Sequence, residues 1–223
     1  MSAAYKVSLR TPILRSFSTT LTNSASISSS APRFTPQLTS THARLTRLHQ
    51  QPTFKSFRPF HSTTAKMVHI GDTIPSLEVL TENSPATKVN LGQELQGAGK
   101  ALIIGVPAAF SPSCSATHVP GYINNKNLKS AGKVFVVSVN DPFVMKAWGL
   151  TLDPKGDSGV RFLGDPTGQF TEALDLSFDA AAIFGGPRSK RYALVVEDGK
   201  VTEAHVEPDN TGVDVSAAEK VLG

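Results

Sequence analysis

Residues 101–118 read ALIIGVPAAFSPSCSATH, and this stretch carries the clearest structural pattern of the sequence. Its first six residues are apolar, a run typical of a strand that is covered on both faces. A proline turn follows, and Cys114 then comes in the first turn of a predicted helix. The free amides at a helix N-terminus and the positive end of the helix dipole favour a negatively charged sulfur. The stretch therefore predicts a strand, a turn and a helix that presents a thiolate nucleophile.

Cys114 is the only cysteine of the chain. A free cysteine is most often a small buried side chain, but serine and proline surround this one and indicate a turn. One thiol cannot form an intramolecular disulfide or a multi-thiolate metal site. Pro112 suits the first helical turn, where its missing N–H is not needed. Ser111 is expected to cap the helix or to hold a polar ligand beside the sulfur.

The spacing of Pro107, Ser111 and Cys114 resembles the active-site signature of the peroxiredoxins. Four blocks in the order of that family are similar to its type II, or peroxiredoxin-five-like, subfamily, and the resemblance extends from Met67 to the C-terminus. It implies a thioredoxin-like α/β fold with a mixed central sheet flanked by helices and an N-terminal hairpin extension. The blocks are residues 107–122 (PAAFSPSCSATHVPGY), 138–149 (SVNDPFVMKAWG), 190–199 (KRYALVVEDG) and 206–212 (VEPDNTG).

The resemblance also implies roles for single residues. The Cys114 thiolate would attack hydrogen peroxide or an alkyl hydroperoxide and become a sulfenic acid. Ser111 would hydrogen-bond the peroxide, and Arg191 would supply a fixed cation. Pro107 would shield the pocket without adding a competing donor, since proline has no N–H. The amides of Ser113 and Cys114 are expected to point into the pocket like an oxyanion hole.

Two assignments around Cys114 stay open. Arg188 and Lys190 are alternatives to Arg191 as the cation, because a basic pair before a strand is often only a solvated edge. His118 lies four residues after Cys114 on the same predicted helix face. It either forms an ion pair with the thiolate or packs as a structural support.

Many type II peroxiredoxins carry a resolving cysteine shortly after a Thr-Gly pair near the C-terminus. Residues 211–215 of this chain read TGVDV, so valine stands where that thiol would fall. The resemblance therefore implies a one-cysteine mechanism, in which an external thiol resolves the sulfenic acid. Glutathione with glutaredoxin is the first expectation and thioredoxin the second. No metal or other cofactor is expected, and a homodimer is expected because relatives form one.

Other functions also use one reactive cysteine. A cysteine hydrolase needs a histidine base and an orienting Asn or Asp, and His205 is a distant candidate. Thioredoxin-type exchange needs Cys-x-x-Cys, but Ser111 stands where the first cysteine would be. The remaining alternative is a non-catalytic redox sensor or holdase that uses Cys114 as a switch. Turnover with peroxide and a thiol donor separates an enzyme from that alternative.

The positive charge of the chain belongs to its first 66 residues. They hold nine of the 22 Lys and Arg residues and no Asp or Glu, and 23 of them are Ser or Thr. The other 157 residues keep 13 basic against 18 acidic residues, a net formal charge of −5. This composition predicts a mitochondrial (matrix) presequence over 1–66 rather than a nucleic-acid-binding surface. Met67 is a possible second start that gives a cytosolic form.

The remainder, 67–223, is long enough for one domain with a sizeable core. No apolar run approaches the ~20 residues that span a bilayer, so a membrane is not expected as a partner. A nucleic acid is not expected either, because these residues carry a net negative formal charge. Pro120 predicts a kink in the helix after Cys114, and Trp148 is expected to pack near the pocket or at a dimer contact. The predicted elements are strands at 101–106, 134–139 and 161–164, helices at 142–148, 167–174 and 216–222, a hairpin at 192–206 and an N-terminal hairpin within 70–91.

Overall fold

A computed structural model describes residues 67–223, and the predicted presequence at 1–66 lies outside these residues. Within the described part, the strands are β1 Leu80–Glu82, β2 Ser84–Val89, β3 Lys100–Val106, β4 Lys133–Ser138, β5 Arg161–Gly164, β6 Ser177–Phe178, β7 Arg188–Ser189, β8 Tyr192–Glu197 and β9 Lys200–Val206. The helices are α1 Leu91–Glu94, α2 Val119–Ile123, α3 Pro142–Leu152, α4 Gln169–Ala173, α5 Ala181–Phe184 and α6 Ala218–Val221. A π-helical turn, Cys114–His118, precedes α2, and a 3₁₀ turn, Leu128–Ala131, follows it.

Seven strands form one mixed sheet in the order β2-β1-β5-β4-β3-β8-β9. The three central strands β5, β4 and β3 are parallel, whereas the outer pairs are antiparallel. Strands β6 and β7 form a separate two-stranded sheet. The sequence predicts this mixed sheet because its apolar runs alternate with helices and end in a hairpin.

The apolar run of β3 is buried on both faces. Leu102 and Ile104 pack in the hydrophobic cluster that also contains Cys114, and Ile103 packs in the cluster on the other face. Side chains of a strand alternate between the two faces, so one strand contributes to both halves of the core. The loop that leaves β3 consequently starts from a fixed point.

The structure changes the extent of several predicted elements; the helix predicted at 216–222, for example, is only Ala218–Val221. The N-terminal hairpin is β1–β2, and it does not decorate the core but extends the main sheet, because β1 pairs with β5. The helix predicted at 167–174 is only Gln169–Ala173. It starts late because Gly168 adopts a left-handed conformation, with φ +73°, while the Asp165 carboxylate accepts from the Thr171 amide at 2.8 Å.

The kink predicted at Pro120 takes the form of the π-helical turn. The Val119 N–H donates to the carbonyl of Cys114, five residues earlier, instead of four. A proline offers no N–H and its ring presses on the carbonyl four residues before it. A wider turn relieves that contact, so the π-helical turn follows from the position of Pro120 in the sequence.

Gly105 is expected to tolerate no side chain. A Cβ at this position would lie 2.0 Å from the ring of Tyr192, which is fully buried on the neighbouring strand β8. Gly105→Ala should therefore reduce the free energy of unfolding by about 3 kcal/mol or more, the upper range for overpacking. Urea unfolding measures the change.

Gly121→Ala is the matched control for this experiment. Gly121 lies in α2, and the nearest atom to an added Cβ is 3.6 Å away, an ordinary contact. Alanine is favoured over glycine in a helix by about 1 kcal/mol, so this variant should be as stable as the parent or more stable. Equal stability of the two variants would contradict the close contact at Gly105.

Candidate active site

The loop between β3 and the helix at 112–123 is hydrogen-bonded to the residues at the end of the adjacent strand β4. Asn140, just after β4, accepts the Ala109 N–H through its Oδ1 at 3.0 Å. Ser138 donates its hydroxyl to the same Oδ1 at 2.8 Å. Phe110 takes a positive φ of 60° at the loop tip, a conformation that is rare for a bulky residue. These contacts hold the chain in a tight turn immediately before Cys114.

Cys114 and Arg191 are in direct contact. The Nη1 of Arg191 lies 3.2 Å from the Sγ of Cys114, and both side chains are buried. The other side of the guanidinium is also held, because Nε and Nη2 both donate to the Thr211 carbonyl at 3.1 Å. A buried guanidinium fixed in this way places a positive charge and a hydrogen-bond donor beside the sulfur.

The structure separates Arg191 from its two sequence neighbours. Arg188 donates Nη1 to the Val139 carbonyl and Nη2 to the Phe184 carbonyl, the latter at 3.1 Å. Lys190 is tied by its backbone N–H to the Leu176 carbonyl at 2.7 Å. In the described residues, neither side chain forms a hydrogen bond to Cys114, so the geometry favours Arg191 among the three candidates.

Ser111 lies in the same turn but does not cap the helix with its side chain. Its hydroxyl donates to the Ala108 carbonyl at 2.9 Å, and its own carbonyl accepts the Ser115 N–H at 3.0 Å. The lone pairs of Ser111 Oγ are thereby left to accept a hydrogen bond from a ligand. Of the two roles expected for Ser111, the side-chain cap is absent because the hydroxyl bonds the loop, and the binding of a polar ligand stays a prediction.

Pro107 comes before this turn in the chain and Ser113 comes after it. Pro107 is buried directly after β3, whereas Ser113 is exposed in the first helical turn. The Ser113 carbonyl accepts the Thr117 hydroxyl at 2.9 Å. The first amides of a helix have no acceptor inside it, so those of Ser113 and Cys114 are available to an oxygen atom near the sulfur.

His118 does not pair with the thiolate. It is buried, and its Nε2 donates to the Ser216 carbonyl at 3.0 Å. Burial lowers the pKa of His118 to about 4, and the nearby charge of Arg191 adds to the effect, although Ser216 and Glu207 oppose it. The imidazole is therefore neutral at neutral pH, and His118 serves as the structural support that was the second expectation.

The neutral His118 predicts a pH-dependent stability. An unfolded histidine has a pKa near 6.5, so between about pH 6.5 and about pH 4 the unfolded state binds one more proton than the folded state. The contribution of His118 to the free energy of unfolding is therefore fully present above about pH 6.5 and falls as the pH decreases. Between pH 7 and pH 5 the free energy of unfolding should drop by about 2 kcal/mol from this group.

Urea unfolding of His118→Gln at both pH values provides the control. Glutamine can still donate to the Ser216 carbonyl but does not titrate. The variant should lose most of the difference between pH 7 and pH 5. An unchanged difference would assign the pH dependence to other groups.

Trp148 packs beneath the helix that carries Cys114, as expected from the sequence. Its indole Nε1 donates to Ser115 Oγ at 3.0 Å. Its ring lies edge-on to Phe162, with centroids 5.7 Å apart, and 6.5 Å from the ring of Phe110. The side chain thus connects α3 with both the active-site loop and the helix after it.

Sequence reasoning missed the residues that surround Arg191 from the C-terminal side. Thr211 binds the guanidinium through a backbone carbonyl, which no side-chain pattern reveals. Glu207 and Ser216 form a buried hydrogen bond between the carboxylate and the hydroxyl at 2.7 Å. Glu207 and Thr211 lie within the block 206–212 quoted above, and a single acidic residue before a proline was the available signal.

The described histidines do not form the Cys–His pair that a cysteine hydrolase needs. His205 pairs with Glu203 at 2.9 Å on β9, and His118 bonds the Ser216 carbonyl, so within residues 67–223 neither histidine is hydrogen-bonded to Cys114. The same residues hold no cluster of three or more His, Cys, Asp or Glu side chains that could bind a metal ion. None of the helices described is long and apolar enough to cross a membrane.

Comparison with known proteins supports a redox role for this site. The redoxin family model matches residues 69–222. Peroxisomal membrane associated protein 20 of Schizosaccharomyces pombe is 47% identical over 159 residues, which cover 70% of this chain and 98% of that protein. Peroxiredoxin-2D of Arabidopsis thaliana is 40% identical over 161 residues, 70% and 96% of the two chains. The crystal structure of reduced Prx3 from Vibrio vulnificus, in complex with hydrogen peroxide, aligns with a TM-score of 0.62 and 38% identity over 70% of this chain and 98% of that one.

Proposed function

Because this chain belongs to the type II peroxiredoxins of the redoxin family and is a thiol-dependent peroxidase with a thioredoxin-like fold, we propose that it works by a one-cysteine mechanism at Cys114. The observation that carries this proposal is the 3.2 Å contact between Arg191 Nη1 and Cys114 Sγ in a chain that has no second cysteine. The substrates are hydrogen peroxide and alkyl hydroperoxides.

The first step forms a sulfenic acid. The Cys114 thiolate attacks one peroxide oxygen, a sulfur–oxygen bond forms, and the O–O bond breaks. The departing oxygen takes a proton and leaves as water or alcohol. Arg191 and the amides at the helix start stabilise the charge that moves from sulfur to oxygen. Ser111 Oγ, already donating to the Ala108 carbonyl, accepts a hydrogen bond from the peroxide and orients it.

The second step needs a thiol from outside the chain. The thiol sulfur displaces the hydroxyl of the sulfenic acid, which gives a mixed disulfide and water. A second thiol then releases the Cys114 thiol and leaves as a disulfide with the first. We expect glutathione with glutaredoxin as the reductant and thioredoxin as the alternative. Pro107 keeps the pocket free of a competing N–H donor throughout.

The assembly and location of the protein belong to the same proposal. Residues 1–66 are proposed to be a mitochondrial presequence, since they are basic, rich in Ser and Thr and free of acid. A form that starts at Met67 would stay in the cytosol. A homodimer is proposed because Phe110, on the active-site loop, is 53% exposed and would be covered by a second subunit. Light scattering and a reporter fused to residues 1–66 test these two points.

Intact mass spectrometry of the full chain tests the mechanism. Peroxide alone should add one oxygen to Cys114 and then a second, because no internal thiol can intercept the sulfenic acid. Peroxide with glutathione should instead give one glutathione adduct, which glutaredoxin removes during continued peroxide consumption. Cys114→Ser, which lacks the sulfur, should show none of these products.

Two results would contradict different parts of the proposal. Quantitative disulfide-linked dimers that turn over with thioredoxin would overturn the external small-thiol route but leave the peroxidase activity intact. A single oxidation of Cys114 without turnover by any thiol donor would favour the redox sensor or holdase. The buried Cys114–Arg191 contact favours the enzyme, because a sensor does not need a fixed cation to stabilise a leaving oxygen.

A further inference from the structure

Glu207 is a buried carboxylate that the mechanism above does not use. It is 2% exposed, and its Oε1 accepts three hydrogen bonds, from the Asp214 N–H at 2.8 Å, the Ser216 N–H at 2.9 Å and the Ser216 hydroxyl at 2.7 Å. Burial alone would raise the pKa of Glu207, but these hydrogen bonds outweigh it and the pKa lies below its usual value. The charged carboxylate closes residues 207–216 into a ring.

One side of this ring holds Arg191. The Thr211 carbonyl, in the middle of the ring, accepts both Nε–H and Nη2–H of Arg191 at 3.1 Å. The backbone of Arg191 is tied to the ring as well, since its N–H donates to the Asn210 carbonyl at 2.7 Å and its carbonyl accepts the Glu207 N–H at 3.0 Å. The guanidinium therefore has its direction set by the ring.

The other side of the ring holds the helix that carries Cys114. The Ser216 carbonyl accepts the Nε2–H of His118 at 3.0 Å and the hydroxyl of Tyr122 at 2.6 Å. Both donors are buried and lie within the same helical stretch as Cys114. One short segment thus contacts both partners of the Cys114–Arg191 pair.

The tip of the ring is stiffened by its own side chains. Asp209 Oδ1 accepts the Thr211 N–H at 3.2 Å and the Gly212 N–H at 2.7 Å, a turn that aspartate favours. The Thr211 carbonyl consequently has little freedom unless the ring opens. The three hydrogen bonds of Glu207 keep it closed.

We infer that Glu207 is a positioning residue for the peroxidase reaction, which acts through Thr211 on the Arg191 guanidinium and keeps it aligned with the sulfur of Cys114. Misplacement of a reacting group by about 1 Å can cost up to ~10²-fold in rate, so a loosened ring should slow the attack on peroxide. The inference rests on the proposed function, because it assigns Glu207 to that reaction.

A double-mutant cycle on the full chain tests this inference. Glu207→Gln keeps the shape of the side chain but removes the charge, which weakens hydrogen bonds of this type. The second-order rate of Cys114 oxidation by hydrogen peroxide is measured by acid quenching followed by intact mass. We expect Glu207→Gln to slow it about tenfold. In an Arg191→Ala background the same substitution should change the rate by less than about twofold, because coupled residues are not additive.

Glu203→Gln is the matched control. Glu203 lies on β9 and is largely exposed, and its side chain pairs with His205, away from Arg191 and residues 207–216, so this variant should react at the parent rate. A merely structural Glu207 would lower the rate by the same factor with or without Arg191, and that result would overturn the inference. No effect of Glu207→Gln in the parent background would also overturn it.

A milder variant covers failure of Glu207→Gln to fold. Ser216→Ala removes one of the three donors to Glu207 and leaves the two backbone donors in place. It should slow oxidation about threefold, again only when Arg191 is present; equal slowing in both backgrounds would contradict the inference. Failure of the parent chain itself to react with peroxide would contradict the proposed function, whereas failure of the variants to differ from a reactive parent would contradict only the role of Glu207.

Discussion

Replacing Arg191 with alanine is expected to slow the oxidation of Cys114 by hydrogen peroxide about 10²-fold or more. The guanidinium is the only group in the described structure that donates a hydrogen bond to the Cys114 sulfur, at 3.2 Å. It is buried, so water does not screen its charge. Loss of one such donor from a preorganised site costs about 10²- to 10³-fold in rate. The second-order rate constant of the reduced protein with hydrogen peroxide measures the effect.

Arg188→Ala is the control that tests the assignment. Arg188 has the same charge and lies three residues before Arg191, but its guanidinium binds the carbonyls of Val139 and Phe184. Its loss should change the rate much less than the loss of Arg191. Arg191→Lys should be intermediate, since lysine keeps the charge but not the planar fork that binds both sulfur and carbonyl. A larger loss in Arg188→Ala than in Arg191→Ala would reverse the assignment.

Ser111→Val is expected to slow peroxide reduction at least ~10-fold, a smaller loss than the one expected for Arg191→Ala. The Ser111 hydroxyl donates its single proton to the Ala108 carbonyl. Its lone pairs can then accept a hydrogen bond from a peroxide O–H. Valine has no such acceptor, so the peroxide loses one of the groups that align it. Steady-state rates over a range of peroxide concentrations separate weaker binding from slower reaction.

Ser111→Thr separates the hydroxyl from the size of the side chain. Threonine has nearly the volume of valine and keeps the hydroxyl, so it should retain activity within a few-fold of the parent. The pair therefore differs in one functional group. Equal losses in the threonine and valine variants would show that bulk in the turn, not the missing acceptor, causes the defect.

The central part of the fold follows from the sequence because its signals are local. The apolar run at 101–106 predicts β3 almost to the residue, and Asp141 before Pro142 predicts the start of α3, where the carboxylate accepts the amides of Phe143 and Val144. The hairpin at Asp198-Gly199 was also predictable, because an Asp-Gly pair favours the tight turn that joins two strands. Both residues take the positive φ of such a turn, 48° and 79°.

Several short elements were not predictable in the same way. Strands β6 and β7 have two residues each, and helices α1 and α5 have four, too few to show any periodicity. Their conformation is set by contacts with distant parts of the chain. The pairing of β1 with β5 likewise depends on a separation of about 80 residues, which a pattern within one segment cannot encode.

The residues of the site also differ in how far local sequence patterns predict them. Ser111 and Cys114 share one turn, so their spacing in the sequence reports their proximity. Arg191 lies 77 residues away from Cys114, and only the family resemblance selected it over Arg188 and Lys190. The role of His118 was left open because helix spacing alone does not say whether a side chain turns to the sulfur or to the Ser216 carbonyl.

The hydrogen bond between Trp148 and Ser115 gives the protein an optical reporter of its own. Trp148 is the only tryptophan in the chain, and its indole N–H binds the residue directly after the reactive cysteine. The emission of an indole depends on its hydrogen bonding and its contact with water. Each change in the oxidation state of Cys114 that disturbs the helix should therefore alter the fluorescence, so the catalytic cycle can be followed in real time without a dye.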